Sequence, residues 1–574
     1  MSPGLMETRR TTSPDPARNI SPMSNRRLPN ASLLVLAIGT HLSAQGGPPL
    51  PPPGVPPVPV PPGNPITVSK TLLGKALFWD EQLSATNTIS CGTCHVPGNG
   101  GSDPRSALFG SVHPGFDGLF ATPDDIRGSR GVANSEADGD WIATQFFGLA
   151  EQVTSRKAPT MINAAYAPLL FWDGRAGPNF VDPVTSTVVL QQGALEAQAA
   201  LPPVNAVEMG HLGTTWTELA AKIGALEPLA LAEDVPTDLQ NFVRGKTYAE
   251  LFQTAFGTPG VSASRTLLAI GTYERTLISG QSAWDDFLAG NQAALTQQQQ
   301  QGRAIFFGQG NCGACHGGQL LTNNTFRNIG VRPIQEDLGR GAITGNPADN
   351  GRFKVPSLRN VALRAPYFHN GGAANLTAVV DFYNRGGDFF VNQDPLIQPL
   401  GLTLQQRQAL VAFLQAFTDP RVANETAPFD RPSLYSESNH VPVALGAPTP
   451  GPGGFVPRMW ATEPPVLGNP NLTLAVDRGT GGAPAFLIVD TSAIAAGWNL
   501  FGAQLYFALT PAVSIFPMGA LSGSGPGNGS TSRSFATPLD AGLQGQTLTA
   551  QWVIAAGSAG NLLSATSAAQ LTLY

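Results

Sequence analysis

The sequence predicts a multidomain chain with two mainly α-helical domains followed by an all-β, sandwich-like C-terminal domain. Three observations predict it. The pentapeptides Cys91-Gly92-Thr93-Cys94-His95 and Cys312-Gly313-Ala314-Cys315-His316 stand in two successive stretches of helical periodicity. Together they use all 4 cysteines of the chain. From about residue 447 helical spacing gives way to short runs rich in Val, Ile, Leu and Thr, separated by Gly/Ser turns.

C-x-x-C-H is the attachment signature of c-type haem: two thiols add to the porphyrin vinyl groups and the adjacent histidine becomes the proximal iron ligand. A disulfide or a zinc site is the alternative for four cysteines. Two complete copies with no cysteine left over favour two covalently bound haem c groups, on Cys91, Cys94 and His95 and on Cys312, Cys315 and His316. The helical domains are therefore expected to be of cytochrome c type.

A length of 574 residues allows about three or four domains. Gly 65, Pro 51 and only 13% charged residues point to long ordered loops and β-rich parts rather than charged surface helices. A net charge of -6 without a basic stripe argues against a nucleic-acid partner. It is compatible with docking a basic electron carrier.

Arg26 and Arg27 precede the apolar run 31–38, and Leu42-Ser43-Ala44 offers small residues before Gln45. Residues 1–44 therefore read as a secretory signal peptide, with those ahead of Met23 a misplaced start or a disordered tail. The run falls short of the roughly 20 apolar residues that span a bilayer, and no later stretch is longer, so no transmembrane segment is expected. Haem attachment by C-x-x-C-H takes place outside the cytoplasm, so the chain is expected to be exported, to the periplasm or the cell surface.

Residues 45–65 form a proline-rich linker, with a recognition motif for another protein as the alternative. The first haem domain is expected over 66–290. Helical spacing at 71–79 leads into Cys91, and further helical patterns lie at 216–231, 239–256 and 262–288. A long Gly/Pro/Asp-rich loop follows the first motif. Its Asp117, Asp124 and Asp125 read as a solvated turn, with calcium as the alternative. The second haem domain is expected over 291–425, with helices at 295–307 and 404–417. A linker at 426–446 leads to the β domain at 447–574, with strands at 471–476, 485–489, 547–554 and 569–574. That domain holds no cysteine, no histidine and no acidic cluster, so an accessory or surface-attachment role is expected.

The second axial ligand decides whether a haem passes electrons or activates an oxidant. Of 7 histidines, His41 lies in the leader, His440 near the β domain, and His95 and His316 are proximal. His113, His211 and His369 remain.

Five further motifs carry a resemblance: Ala158-Pro159-Thr160-Met161-Ile162-Asn163, Phe171-Trp172-Asp173-Gly174-Arg175, Val207-Glu208-Met209-Gly210, Phe353-Lys354-Val355-Pro356-Ser357-Leu358-Arg359-Asn360 and Ala365-Pro366-Tyr367-Phe368-His369-Asn370-Gly371. With them, residues 66–420 resemble the bacterial di-haem cytochrome c peroxidase family, which includes the methylamine dehydrogenase maturation enzyme MauG. The resemblance implies a peroxide-reactive N-terminal haem and a C-terminal haem that feeds or stores electrons. It implies Glu208 as the distal acid/base, Gln198 as the glutamine that orients peroxide, and Trp172 as the relay between haems. Taken alone, Glu208 would read as a surface carboxylate in a turn and Trp172 as core packing. The resemblance also implies an inter-domain calcium ion held by Asn163 and the backbone carbonyls of Arg364 and Pro366; a plain buried asparagine is the alternative.

One departure matters. The family's electron-accepting peroxidases place a methionine ligand where this sequence has Tyr383, fourteen residues after His369. The maturation enzyme also uses tyrosine there. A phenolate favours oxidised iron, whereas a thioether favours reduced iron. His113, eighteen residues after His95, is either a removable ligand of the first iron or a loop histidine. His211 is expected near the site or at the surface, and His369 supports the haem environment or domain interface without binding iron.

The expected function is reduction of hydrogen peroxide to water with electrons from a small redox protein, a cytochrome c or cupredoxin, with a homodimer as the assembly considered. The first alternative is a MauG-like oxidase acting on a protein or aromatic substrate, which Tyr383 favours. The second is a non-catalytic di-haem electron carrier, and the third an adhesion module carrying a redox passenger.

Overall fold

The computed structural model describes Pro52 and residues 54–574 apart from Ala559. The expected leader and most of the first part of the proline linker lie outside the described residues. Among the described residues no helix is long and apolar enough to cross a membrane.

The first helical unit is built on the helix Val68–Trp79 packed against the helix Ala263–Glu274. Thr67 starts the former, its side chain accepting from the Lys70 amide. Leu73, Ala76 and Leu77 face Leu267 and Ile270 in one core. The helices touch backbone to backbone: a Cβ on Gly74 would lie 1.9 Å from the Ala269 carbonyl oxygen. The second unit repeats this crossing with the helices Gln297–Phe307 and Leu404–Gln415. Here a Cβ on Gly302 would lie 1.9 Å from the Ala409 carbonyl oxygen. Phe306 meets Phe413 edge-on at 5.4 Å.

Each leading helix ends in an aromatic ring that walls the cysteine motif behind it. A Cβ on Gly92 would lie 2.2 Å from the Trp79 ring, and one on Gly313 would lie 2.7 Å from the Phe307 ring. The glycine in each motif is therefore a packing requirement.

Several helices are shorter than their apolar spacing predicts. The pattern at 239–256 divides into Thr237–Val243 and Tyr248–Phe256. Gly245 turns the chain at φ +66°, and Thr247 opens a new helix through a capping box with Glu250. The pattern at 262–288 divides into Ala263–Glu274 and Ala283–Leu288, the second opened by a Ser282/Asp285 capping box. The pattern at 216–231 ends as a helix at Ala225. The stretch 426–446, expected as a linker, is packed in part: Phe429 and Leu434 join the first core. The Tyr435 amide also donates to Glu81 Oε2 at 2.6 Å.

The C-terminal region is β-rich and antiparallel. One three-stranded sheet runs Arg458–Trp460, Leu472–Gly481, Gly525–Phe535. A six-stranded sheet has the order Ser514–Ala520, Pro484–Asp490, Thr547–Ile554, Ala568–Thr572, Val443–Leu445, with Ser564–Ala565 paired beside Thr547–Ile554. Leu474 and Val476 from the first sheet share a core with Leu487 and Trp552 from the second. The expected strands are present. Arg458–Trp460, Ser514–Ala520 and the Gly/Ser-rich Gly525–Phe535 were not expected as strands; the ladder to Leu472–Gly481 supplies the order that the last one's propensity withholds.

Gly302→Ala is expected to lower stability by about 1–3 kcal/mol, because the added methyl must push two helices apart. Urea unfolding of the full chain reads it, and an unchanged midpoint would mean that the crossing can relax.

Candidate functional site

Two cavities, about 350 Å³ and about 270 Å³, open beside the two cysteine motifs. Cys91, Cys94 and His95 line the first; Cys312, Cys315 and His316 line the second. The four thiols form no disulfide. His95 Nδ1 lies 3.1 Å from the Gly101 carbonyl and His316 Nδ1 lies 3.2 Å from the Leu321 carbonyl. A carbonyl only accepts, so each Nδ1 carries the proton and each Nε2 keeps its lone pair. Burial holds the His95 imidazole below its ordinary pKa and takes that of His316 to about 4, so both are neutral at pH 7. Two free thiols and one oriented, neutral imidazole on the wall of each cavity fit a c-type haem in each.

Glu208 lines the first cavity. It stands on a tight turn in which the Asn205 side chain accepts from the Val207 amide (2.8 Å) and the Glu208 amide (3.2 Å). The Asn205 carbonyl accepts from the amides of Glu208, Met209 and Gly210. Burial raises the Glu208 pKa above the usual carboxylate range, and Arg175 opposes that rise. Gln198, on the helix Ala194–Ala199, lines the same cavity. A carboxyl of raised pKa and a neutral amide thus share the space beside Cys91, Cys94 and His95.

Trp172 lines both cavities. Its indole N–H donates to the Lys157 carbonyl at 2.8 Å, and the Lys354 amide donates to the Trp172 carbonyl at 2.7 Å. The His369 ring meets the indole edge-on at 6.3 Å and stacks on Phe353 at 3.7 Å. Tyr383, on the helix Leu376–Asn384, lines the second cavity together with His316. Burial lifts its phenol pKa well above the ordinary value.

Asn163, Arg364 and Pro366, the residues expected at a calcium ion, line the second cavity. The Asn163 amide pairs with the backbone of Ser279, accepting from its N–H at 2.9 Å and donating to its carbonyl at 3.0 Å. The expected donors are three neutral oxygens, whereas calcium takes six to eight, so water would have to complete the set. His113 lines neither cavity. It pairs in a short strand with Ile126, and its ring lies 6.4 and 6.1 Å from those of Phe146 and Phe147. His211 sits 2.6 Å from Glu218, away from both cavity walls. In the loop after the first motif, Asp124 accepts from the Phe116 and Asp117 amides, which bring its pKa down to about 2. The carboxylate thereby closes a turn.

Several residues at the site carried no role in the sequence. Lys157 and Lys354 line both cavities, and burial brings their pKa values down to about 7 and about 8. Arg156 joins Asp337 (2.7 and 2.6 Å) to Asp173 (2.6 Å), tying the two units together beside Trp172. Glu274 lines the first cavity with a buried Oε2 that has no hydrogen-bonding partner, and burial raises its pKa to about 8. Lys354 and Asp173 lie inside recognised motifs, and Arg156 and Lys157 adjoin one. Their position beside a motif was the signal to follow.

The family profile described as "Di-haem cytochrome c peroxidase" matches residues 68–293. Methylamine utilization protein MauG of Methylorubrum extorquens is 30% identical over 355 residues, 61% of this chain and 79% of that protein. Cytochrome-c peroxidase IdrP1 of Denitromonas iodatirespirans is 31% identical over 441 residues, 70% of this chain and 96% of the relative. Among solved structures, a MauG-like protein associated with microbial copper homeostasis is 27% identical, with a TM-score of 0.48 over 66% of this chain and 97% of that one. With its two haem-attachment motifs on the walls of two cavities, the chain belongs to the di-haem cytochrome c peroxidase family of oxidoreductases, which takes in both cytochrome c peroxidases and MauG-type proteins.

Proposed function

We propose that this protein is exported and reduces hydrogen peroxide to water at the first cavity. Electrons come from a small redox protein, a cytochrome c or cupredoxin, and pass the second cavity and Trp172. The observation that carries the reading is Glu208, a carboxyl of raised pKa on the wall shared with Cys91, Cys94 and His95.

When bound, the two haems supply redox-active iron, one to take peroxide and one to exchange electrons. His95 and His316 would bind iron through Nε2, and Lys157 and Lys354 are the buried cations available to the haem carboxylates. Glu208 takes a proton from one peroxide oxygen and returns it to the other, which leaves as water. Gln198 orients the peroxide through its amide. The Lys157 carbonyl, accepting from the indole N–H of Trp172, stabilises positive charge on the ring while electrons pass. In sum, hydrogen peroxide, two protons and two electrons become two waters. His113 has no part in this reading. A calcium ion at Asn163, Arg364 and Pro366 would tie the wall of the second cavity to Ser279, and chelation is expected to slow the reaction. The β-sandwich at 447–574 is an accessory unit to the haem units at 66–290 and 291–425.

Tyr383 favours a second reading, in which peroxide is spent on oxidising a protein or aromatic substrate. A buried phenol on the second cavity wall suits a ligand that holds iron oxidised. One equivalent of peroxide added to the fully oxidised, haem-loaded protein separates the two. A fast spectral change at both haems supports the oxidase. Silence until one electron is added supports the donor-driven peroxidase, with Tyr383 off the iron, and silence in both states sinks both readings.

Glu208→Gln is expected to slow the peroxide reaction by about 10²-fold or more, the usual worth of a positioned acid/base. As the proton acceptor Glu208 works ionised, so the wild-type rate should fall as pH drops through its raised pKa. That acid limb should vanish in the variant, and stopped-flow rates across pH check it.

A further inference from the structure

We propose that the β-rich C-terminal region positions Glu208: it anchors the hairpin Arg130–Ala133/Glu151–Val153 through Trp141, and the hairpin holds the turn that carries Glu208. This rests on the reading of Glu208 given above.

The inner end of the hairpin is fitted to that turn without slack. A Cβ on Gly131 would lie 1.9 Å from the Val207 carbonyl oxygen and 2.8 Å from Glu208 Cα. The Val132 amide donates to the Val207 carbonyl at 3.2 Å, and Gln152 Nε2 donates to the Ala206 carbonyl at 2.7 Å. Arg130 and Gly131 line the first cavity, and the chain leaving the hairpin supplies Thr154 to Lys157 to the same wall. Two sides of the space around Glu208 therefore hang on this one hairpin.

Its outer end is held by a different part of the chain. Trp141 and Leu149 pack with Ala133 and with Ala475 of the strand Leu472–Gly481. The Trp141 amide donates to Ser532 Oγ at 2.8 Å, and that hydroxyl donates back to the Trp141 carbonyl at 3.2 Å. The Trp141 indole N–H donates to Glu463 Oε1 at 3.1 Å, while Glu463 Oε2 accepts from the Thr473 amide at 2.9 Å. Thr473 Oγ1 donates to the Gly139 carbonyl, and the Ser534 amide donates to Asp140 Oδ1. Backbone and side chain of the hairpin tip are thus bonded into the three-stranded sheet. A tip of seventeen residues between two short strands would otherwise be free to fluctuate. The fluctuation would reach Glu208, because the base of the hairpin and the Val207 carbonyl share one backbone contact.

Hydrogen exchange of the full-length, haem-loaded protein tests this. In Trp141→Ala, exchange at 205–209 is expected to rise by on the order of tenfold, as lost buried packing opens the turn. Exchange in the helix Leu376–Asn384, on the second cavity, should stay as in wild type. Trp141→Phe, which keeps an aromatic ring in the packing and loses the bond to Glu463, should give an intermediate value. Ser532→Ala, which removes two bonds and leaves the packing, carries the same test if Trp141→Ala does not fold. The spectrum of the first haem should shift with the exchange while that of the second does not. Unchanged exchange at 205–209, or equal loosening at both cavities, would overturn the brace. If Glu208→Gln leaves the peroxide reaction intact, the proton-transfer reading fails on its own, and the exchange result still decides whether the sheet holds the turn.

Discussion

Trp172 is gripped at both ends by main chain, its indole N–H on the Lys157 carbonyl and its own carbonyl on the Lys354 amide. The two lysines belong to different helical units, so one residue registers the wall of one cavity against the other. Arg156 repeats the tie in charge, reaching Asp173 on one side and Asp337 on the other. Ion pairs so enclosed are weak sources of net stability, but they tolerate little misalignment, which suits a wall between two redox centres. The ammonium groups of Lys157 and Lys354 lie in that wall without a carboxylate partner among the described residues, and desolvation draws both pKa values down. Lys157 donates to Ser102 Oγ and Lys354 to the Leu169 carbonyl, so neutral oxygens meet both amines.

The two helical units use the same device and then diverge. In each, a glycine lets two helices meet at the backbone, and the aromatic residue closing the first helix presses on the glycine of the cysteine motif. The difference lies in what each unit adds around its cavity. The first adds a short helix and a turn that present an amide, Gln198, and a carboxyl of raised pKa, Glu208. The second adds Tyr383, a buried phenol, on a helix.

The β-rich region is bonded to the first helical unit through the hairpin tip at Trp141. Around that joint lie groups that burial has pushed far from their ordinary ionisation, Glu463 upward and Lys222 down to about 8. Buried, hydrogen-bonded groups make a joint that resists separation by water, because each would have to be rehydrated alone.

Both haem-attachment motifs were legible in the sequence, since C-x-x-C-H is local and its chemistry needs only five consecutive residues. The order of helical and β-rich parts was legible from periodicity, and the family resemblance pointed to Glu208, Gln198, Trp172 and Tyr383, all of which line a cavity. Helix ends were misjudged at Gly245 and Ser282 because apolar spacing continues through a break that capping and a positive φ impose. The strand Gly525–Phe535 was hidden by its glycines and serines, which pair only because Leu472–Gly481 lies alongside. Lys157, Arg156 and Glu274 drew no notice because a single charged residue has no signature until burial isolates it. The sequence by itself determined which cofactor chemistry the chain can carry, through covalent groups fixed at short spacing. The tertiary structure alone decided which residues face each other across a cavity wall, and that the β-rich end reaches the first site, because those contacts join positions hundreds of residues apart.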